Sequence, residues 1–468
     1  MRIISGHGAE FILKLRRACE NQVIFDFIIP SRPGESGTTE SLHETFPEEY
    51  PSSNHMVFAK HVKLLRKLLG AVVRPKFGVK NNLVRVAKSL YLLAAWSIEI
   101  GGDLLFVGKR PNGIALLAPR RILIVKTDQL GDVTFSTVLP QAIKQKYPNA
   151  RIDYLVRPNA AHVLERNPHV NGIYLWNNLL LEFLPGRGEL RKMRTKLAEN
   201  RAVAPRLRFN SYDVVINARA YPPSSNLLLR GFGKKLITFD IAEQSFLADY
   251  WADYDLNEEE PHNYAKLLAP LGIASSSVPS SSEFYNYAAR NPMGGLEPYT
   301  VIAPVSFEID RQWKTEHWKE LIEMLLAQRI NVALSGLPSQ RAYLESIVPA
   351  WSVEAGLVRL FTGLSLPEFG ALMKGAAFFV GIESFPAHLA IALRIPAAFL
   401  INPTVYYLKG YSRRTFAREA RSILPTLPDA EFFDVASASA DVIATSFRRL
   451  RPEVLNSGVR TVSIGGAA

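Results

Sequence analysis

A single cysteine, Cys19, stands in the 468 residues, so no internal disulfide can form and the fold must hold by packing, as suits a reducing compartment. Long apolar runs are also wanting. The candidate SLYLLAAWSI is bounded by Lys88 and Glu99, far short of the ~20 residues a membrane helix needs. The opening MRIISGHGAEFILKLRRACE places Glu10 and a basic cluster where a secretory signal needs an uninterrupted apolar stretch, so export is not expected. Glycine is sparse where dinucleotide chemistry would need it: the first strand-to-helix turn reads KTDQLGD, with one glycine and no G-x-G-x-x-G, and no P-loop occurs. The nine histidines form no H-E-x-x-H and there is no cysteine cluster, so neither a metal nor any other cofactor is expected. One Asp-x-Asp pair, Asp253 and Asp255, falls in an interdomain stretch and reads as a solvated loop.

Acidic residues are missing altogether between Glu49 and Glu99, where Lys60, Lys63, Arg66, Lys67, Arg74, Lys76, Lys80, Arg85 and Lys88 all fall. This stretch accounts for nine of the twelve formal positive charges. It points to anionic partners. Within it, KHVKLLRKLLGAV sets leucines against lysines at helical spacing, a pattern that suits either an anionic lipid surface or a neighbouring domain. No nucleic-acid recognition module accompanies the charge, and nucleic acid is not an expected partner.

With 48% apolar residues, the chain suits two or three globular domains. Residues 1–118 read as a basic, mostly helical N-terminal extension. From Arg121 strand and helix alternate: RILIVK is a buried-strand run, and GDVTFSTVLPQAIKQKYP carries Leu139, Ala142, Ile143 and Lys146 at helical spacing. RIDYLV, helical AAHVLERN, GIYLW, YDVVIN and KKLITF continue a parallel sheet over 119–275. A Ser/Pro-rich linker covers 276–297. A second alternating set over 298–452 has strands YTVIAP, INVALSG, LVRLF, AAFFVGI and PAAFLI, with Ser365 and Glu368 spaced as a capping box. A closing helix near ASADVIATSFRRL ends this domain, and 453–468 read as a disordered tail. The fold class is α/β: two Rossmann-like domains facing a cleft, where ligands of such sheets bind. Asp132 opens a helix on the cleft side of the first strand, placed either to take a proton from a hydroxyl or simply to cap that helix.

RILIVKTDQLGDVTFSTVLPQAIKQKYPNARIDYLVRPNAAHVLERNPHVNGIYLW resembles the opening of glycosyltransferase family 9, the ADP-heptose:lipopolysaccharide heptosyltransferases. Lys126, Asp128, Gly131 and Asp132 stand at the positions of that family's (R/K)-x-D-x-x-G-D-V turn. APVSFEIDRQWKTEHWKELIEMLL is similar to its K-x-W-P-x-E-x-W segment, GIESFPAHLAIALRIPAAFLINPT to its G-x-D-S-G-x-x-H block, and HNYAKLLAPLGI to an interdomain helix. The resemblance runs from about 119 to 450 and leaves the extension uncovered. It implies a GT-B architecture with acceptor on the first domain, nucleotide sugar on the second, inversion at the anomeric carbon and no required metal. By it, Asp132 is the general base, Arg311 contacts donor phosphate in place of lysine, and Glu383, Ser384, Phe385 and His388 line the donor. Trp313 is assigned to packing. Glu383 stands for aspartate and Phe385 for glycine, departures that bear on the sugar pocket. The implied partners are a nucleotide diphosphate sugar, ADP-heptose first, an anionic glycolipid acceptor and an anionic membrane surface. The implied location is cytoplasmic, peripheral at the inner face of a bacterial inner membrane. A second reading, resting on Glu383 and Phe385, is a catalytically degenerate member that binds nucleotide or glycolipid.

Overall fold

The computed structural model describes strands within residues 2–42, and residues 118–457 apart from 178–188, 208–210, 221–225, 241, 243–244, 256–257, 259, 280–281, 306–311 and 402–429. The first described part of the extension is β, which corrects the expectation of a mostly helical one. β1 (Arg2–Ile4), β2 (Glu10–Ala18), β3 (Gln22–Ile28) and β4 (Thr39–Leu42) form an antiparallel meander in sequence order. EFILKLRRA and QVIFDFI alternate with the period of two that a pleated strand requires, and the register sets Leu13 opposite Phe27 and Leu15 opposite Phe25. This meander belongs to a compact unit of its own. Cys19 and the basic stretch 50–98 lie outside the described residues.

The remainder contains two parallel six-stranded sheets. The first comprises β5 (Arg121–Lys126), β6 (Arg151–Val156), β7 (Gly172–Leu175), β8 (Tyr212–Asn217), β9 (Gly233–Phe239) and β10 (Tyr250–Ala252), ordered β10-β9-β8-β5-β6-β7. The second comprises β11 (Tyr299–Ala303), β12 (Asn331–Gly336), β13 (Val358–Thr362), β14 (Phe378–Ile382), β15 (Ala397–Ile401) and β16 (Ala430–Asp434), ordered β13-β12-β11-β14-β15-β16. Both have the doubly wound order in which chain direction reverses beside the first strand. That reversal opens a crevice at the strand carboxyl ends. β5 and β11 are apolar almost throughout because helices cover both faces.

Eight helices carry the discussion: α1 (Leu130–Phe135), α2 (Val138–Lys146), α3 (Glu189–Leu207), α4 (Glu260–Lys266), α5 (Thr315–Ala327), α6 (Leu366–Lys374), α7 (Phe385–Ala392) and α8 (Ala440–Leu450). The single helix expected after β5 is broken into α1 and α2. Pro140 has no N–H to bond the Ser136 carbonyl, which instead accepts from the Leu139 N–H at 3.0 Å and the Tyr154 hydroxyl at 2.9 Å. AAHVLERN likewise shortens to a 3-10 turn, Pro158–Val163. The Ser365–Glu368 capping box forms, with the Ser365 N–H donating to the Glu368 carboxylate at 2.8 Å. At the far end, Pro452–Ser457 adds a further helical turn, and 458–468 lie outside the described residues.

The segment read as a linker is tied to both domains. The Glu283 N–H donates to the Thr137 hydroxyl at 2.9 Å, and Asn286 donates to the His162 carbonyl at 2.9 Å and the Glu165 carboxylate at 2.8 Å. Two residues on, the Ala288 N–H donates to the Pro367 carbonyl at 2.7 Å, and Lys374 sits 3.8 Å above the Tyr287 ring. One buried apolar cluster accordingly runs from Val133 and Phe135 through Phe284 to Ala387 and Leu389.

Candidate active site

Lys126 ends β5 with its ammonium buried at the sheet's switch point, because the next strand across the reversal, β8, delivers the Ala218 carbonyl to it at 3.1 Å. The same ammonium meets the Asp128 carboxylate at 2.9 Å and lies 5.2 Å from the centre of the Tyr264 ring. Arg219, also buried, bonds Asp128 from the other side and donates to the Thr127 carbonyl at 2.9 Å. Burial works against the Lys126 charge, but Asp128, Asp132 and Glu260 outweigh it and raise the group's pKa. Burial likewise works to raise Asp128, and Lys126 with Arg219 overcome it, holding that carboxyl below its ordinary value. Asp128 is therefore a fixed anion that braces the turn.

Asp132 sits at the third position of α1, where its carboxylate accepts from the Gln129 N–H at 3.3 Å in a reciprocal cap. The helix terminus alone does not set its charge state, contrary to what its position in the sequence suggests. Burial pushes the carboxyl above its ordinary value and Asp128 adds to the push, while Lys126, His388 and the Gln129 N–H offset only part. A carboxylate so raised is a stronger base than one in water. Gly131 lets the second domain approach. A Cβ there would lie 2.3 Å from Cδ2 of His388, which packs edge-on against Phe135 at 4.6 Å between ring centres. α1 and α7 thus meet across the two domains, with His388 beside Asp132.

Four residues of this centre escape a reading of the sequence. Arg219 follows β8, Tyr254 follows β10, and Glu260 and Tyr264 lie on α4. Glu260 is bonded by the Tyr254 hydroxyl, and burial pushes its carboxyl up, with Asp132 adding to the shift and Lys126 opposing it. Tyr264 is fully buried, and burial together with Glu260 drives its hydroxyl well above the usual range. Only the topology could have signalled Arg219, which lies just past the strand flanking β5 at the switch point.

On the second domain, Ser384 caps α7 in an extended conformation and turns its hydroxyl back to the Ile382 carbonyl at 3.2 Å. Pro386 carries no N–H, and the amides of Ala387 and His388 point at the Ser384 carbonyl at 3.0 and 3.5 Å. Fewer first-turn amides are thus directed at an anion than the sequence suggests, with that of Phe385 standing at the mouth. Phe385 is half-buried against the shared core, and Glu383 is half-buried at the end of β14. Trp313 packs, as expected: it is buried, edge-on to Trp318 at 4.8 Å, and donates to the Ala438 carbonyl at 3.1 Å. Arg311 lies outside the described residues. Among the described residues, no group of His, Cys, Asp or Glu is arranged to hold a metal ion. Asp253 is exposed, and the backbones of Asp253 and Asp255 are tied to Lys266 and Asn263 of α4.

Residues 200–405 match the profile of glycosyltransferase family 9 (heptosyltransferase). The chain is similar to lipopolysaccharide heptosyltransferase 3 of Escherichia coli (strain K12), 26% identical over 301 residues that cover 58% of this chain and 80% of that protein. It is similar also to lipopolysaccharide heptosyltransferase 1 of the same strain, 22% identical over 61% of this chain and 88% of that one. Among solved structures, the E. coli heptosyltransferase WaaC with ADP-2-deoxy-2-fluoro heptose superposes with a TM-score of 0.56 at 19% identity, over 70% of this chain and 99% of that one. A family 9 glycosyl transferase from Veillonella parvula gives the same TM-score at 15% identity, over 71% and 97%. Two facing doubly wound domains with the reactive groups at their switch points define a glycosyltransferase of GT-B type. Within that class, the chain belongs to glycosyltransferase family 9.

Proposed function

We propose that this enzyme moves heptose from ADP-heptose to the core of a lipopolysaccharide acceptor, with inversion and without a metal, and that Asp132 is its base. The observation that carries the reading is the desolvated Asp132 carboxyl at the meeting of the two domains, beside Lys126 and His388. As the acceptor hydroxyl oxygen attacks the anomeric carbon, its proton passes to Asp132 and the bond to the nucleotide diphosphate breaks, leaving the diphosphate with the electron pair. Arg311 and the N–H groups at the opening of α7 meet the charge that develops on the diphosphate. Glu383 and Phe385 border the sugar. Lys126 stabilises Asp132 as an anion between turnovers, and Asp128 and Arg219 hold Lys126 in place. The relatives named as lipopolysaccharide heptosyltransferases support the donor and acceptor class. The acid-free basic stretch 50–98 supports work at an anionic membrane surface, on the cytoplasmic face where nucleotide sugars are found.

The test is a panel of nucleotide sugars presented with heptose-deficient lipopolysaccharide, reading nucleotide diphosphate release. The expected result is acceptor-dependent release from ADP-heptose. Tight donor binding without release from any sugar would instead favour the degenerate reading that Glu383 and Phe385 allow.

A further inference from the structure

One buried acid of the centre has no part in the scheme above. Glu260 begins α4, on the opposite side of Lys126 from the turn that carries Asp128. Its carboxylate is fixed by the Tyr254 hydroxyl from the segment after β10, and Tyr264, one helical turn on, lays its ring 5.2 Å from the Lys126 ammonium. The neighbours that face this group come from every element packed around it: Lys126 from β5, Asp128 from the turn, Asp132 from α1, Arg157 after β6, Arg219 after β8, Tyr254, Tyr264, and His388 from α7. Arg219 is engaged by Asp128. Lys126, which also meets Asp128, is then the cation whose field both Asp132 and Glu260 feel.

We propose that Glu260 is a positioning residue for the transfer: anchored by Tyr254 and stacked with Tyr264 around Lys126, it competes with Asp132 for that one ammonium and so governs how readily the base takes up a proton. The inference rests on Asp132 being the base. Two carboxyls that share one compensating cation in a desolvated site do not ionise independently, and their protons come off in steps that belong to the pair. Both carboxyls are shifted upward, each feeling the cost of burial, and Asp132 contributes to the shift of Glu260. When Glu260 holds a proton, Lys126 serves Asp132 alone and the base is free to accept the acceptor's proton. When Glu260 is ionised, Lys126 is divided between them, and Asp132 binds protons more tightly.

The experiment measures kcat against pH for the full-length wild type and for Glu260→Gln, Glu260→Asp, Tyr254→Phe and Asp132→Asn, with a melting curve and donor KM for each. Glu260→Gln keeps the size and the bond to Tyr254 but removes the competing charge, so the acid limb of kcat moves down by roughly half a pH unit or more and sharpens to a single ionisation, with donor KM unchanged. Glu260→Asp keeps the charge and returns the limb toward the wild-type position. If Glu260→Gln fails to fold, Tyr254→Phe carries the test. Losing a donor to Glu260 makes that acid harder to ionise, and the limb moves in the same direction by less. An unmoved limb in the folded variant, alongside loss of transfer in Asp132→Asn, overturns the role of Glu260 and leaves the base in place. Full transfer by Asp132→Asn overturns the base and this inference with it.

Discussion

At the scale of single residues, the turn KTDQLGD divides its two aspartates by environment. Asp128 is held down by two cations while Asp132 is pushed up by burial, so the first braces and the second can exchange a proton. The sign of the stability effect follows. A carboxyl raised in the folded state binds its proton more tightly there than in the unfolded chain, so stability falls as pH rises from the ordinary value of 3.8 through the raised one. Asp132→Asn is therefore expected to melt no lower than wild type at neutral pH, with its advantage shrinking as the pH is brought below the ordinary carboxylate range. Melting curves across pH check this. Arg311 is argued from the family's lysine position. Arg311→Ala is expected to weaken donor binding by about 1.5 to 3 kcal/mol, and calorimetry with the nucleotide sugar checks it. Both aspartates were visible in the sequence. Arg219, 91 residues from its partner Asp128, was not, because nothing local marks a residue whose role depends on strand order.

At the scale of elements, most boundaries follow from periodicity. RILIVK is β5 as read, and the Ser365–Glu368 box starts α6 where its spacing places it. The failures have physical causes. Pro140 split one expected helix into two, and two short strands, β10 and β16, carry too few residues to show a period. The Ser-rich linker misled by composition, since Glu283 and Asn286 bond the first domain and Ala288 the second. The contact between α1 and α7 belongs to this scale. Gly131→Ala would drive a methyl to 2.3 Å from the His388 ring, so the helices must part. The expected cost is roughly 1 to 3 kcal/mol of stability together with reduced transfer, read by thermal melting and by initial rates. Relief of both defects by adding His388→Ala would confirm that the clash is the cause.

At the scale of the whole molecule, the alternation of strand and helix disclosed two Rossmann-like domains, and the observed order of both sheets places their switch points where Lys126 and Glu383 end or follow strands. The extension was misread over its first 42 residues because net basic character was allowed to outweigh the period-two pattern of EFILKLRRA. For its later part, deletion of 50–98 is expected to lower sedimentation with anionic vesicles, since each of nine cations gains up to ~1 kcal/mol at such a surface. Equal binding by the shortened protein would dismiss that role. The central claim is that Asp132, held desolvated where the domains meet, takes the proton from the acceptor. Its most direct test is single-turnover heptose transfer by Asp132→Asn with ADP-heptose pre-bound. The account predicts transfer slowed by roughly 10²- to 10⁴-fold at nearly unchanged donor affinity. Transfer at the wild-type rate would contradict it.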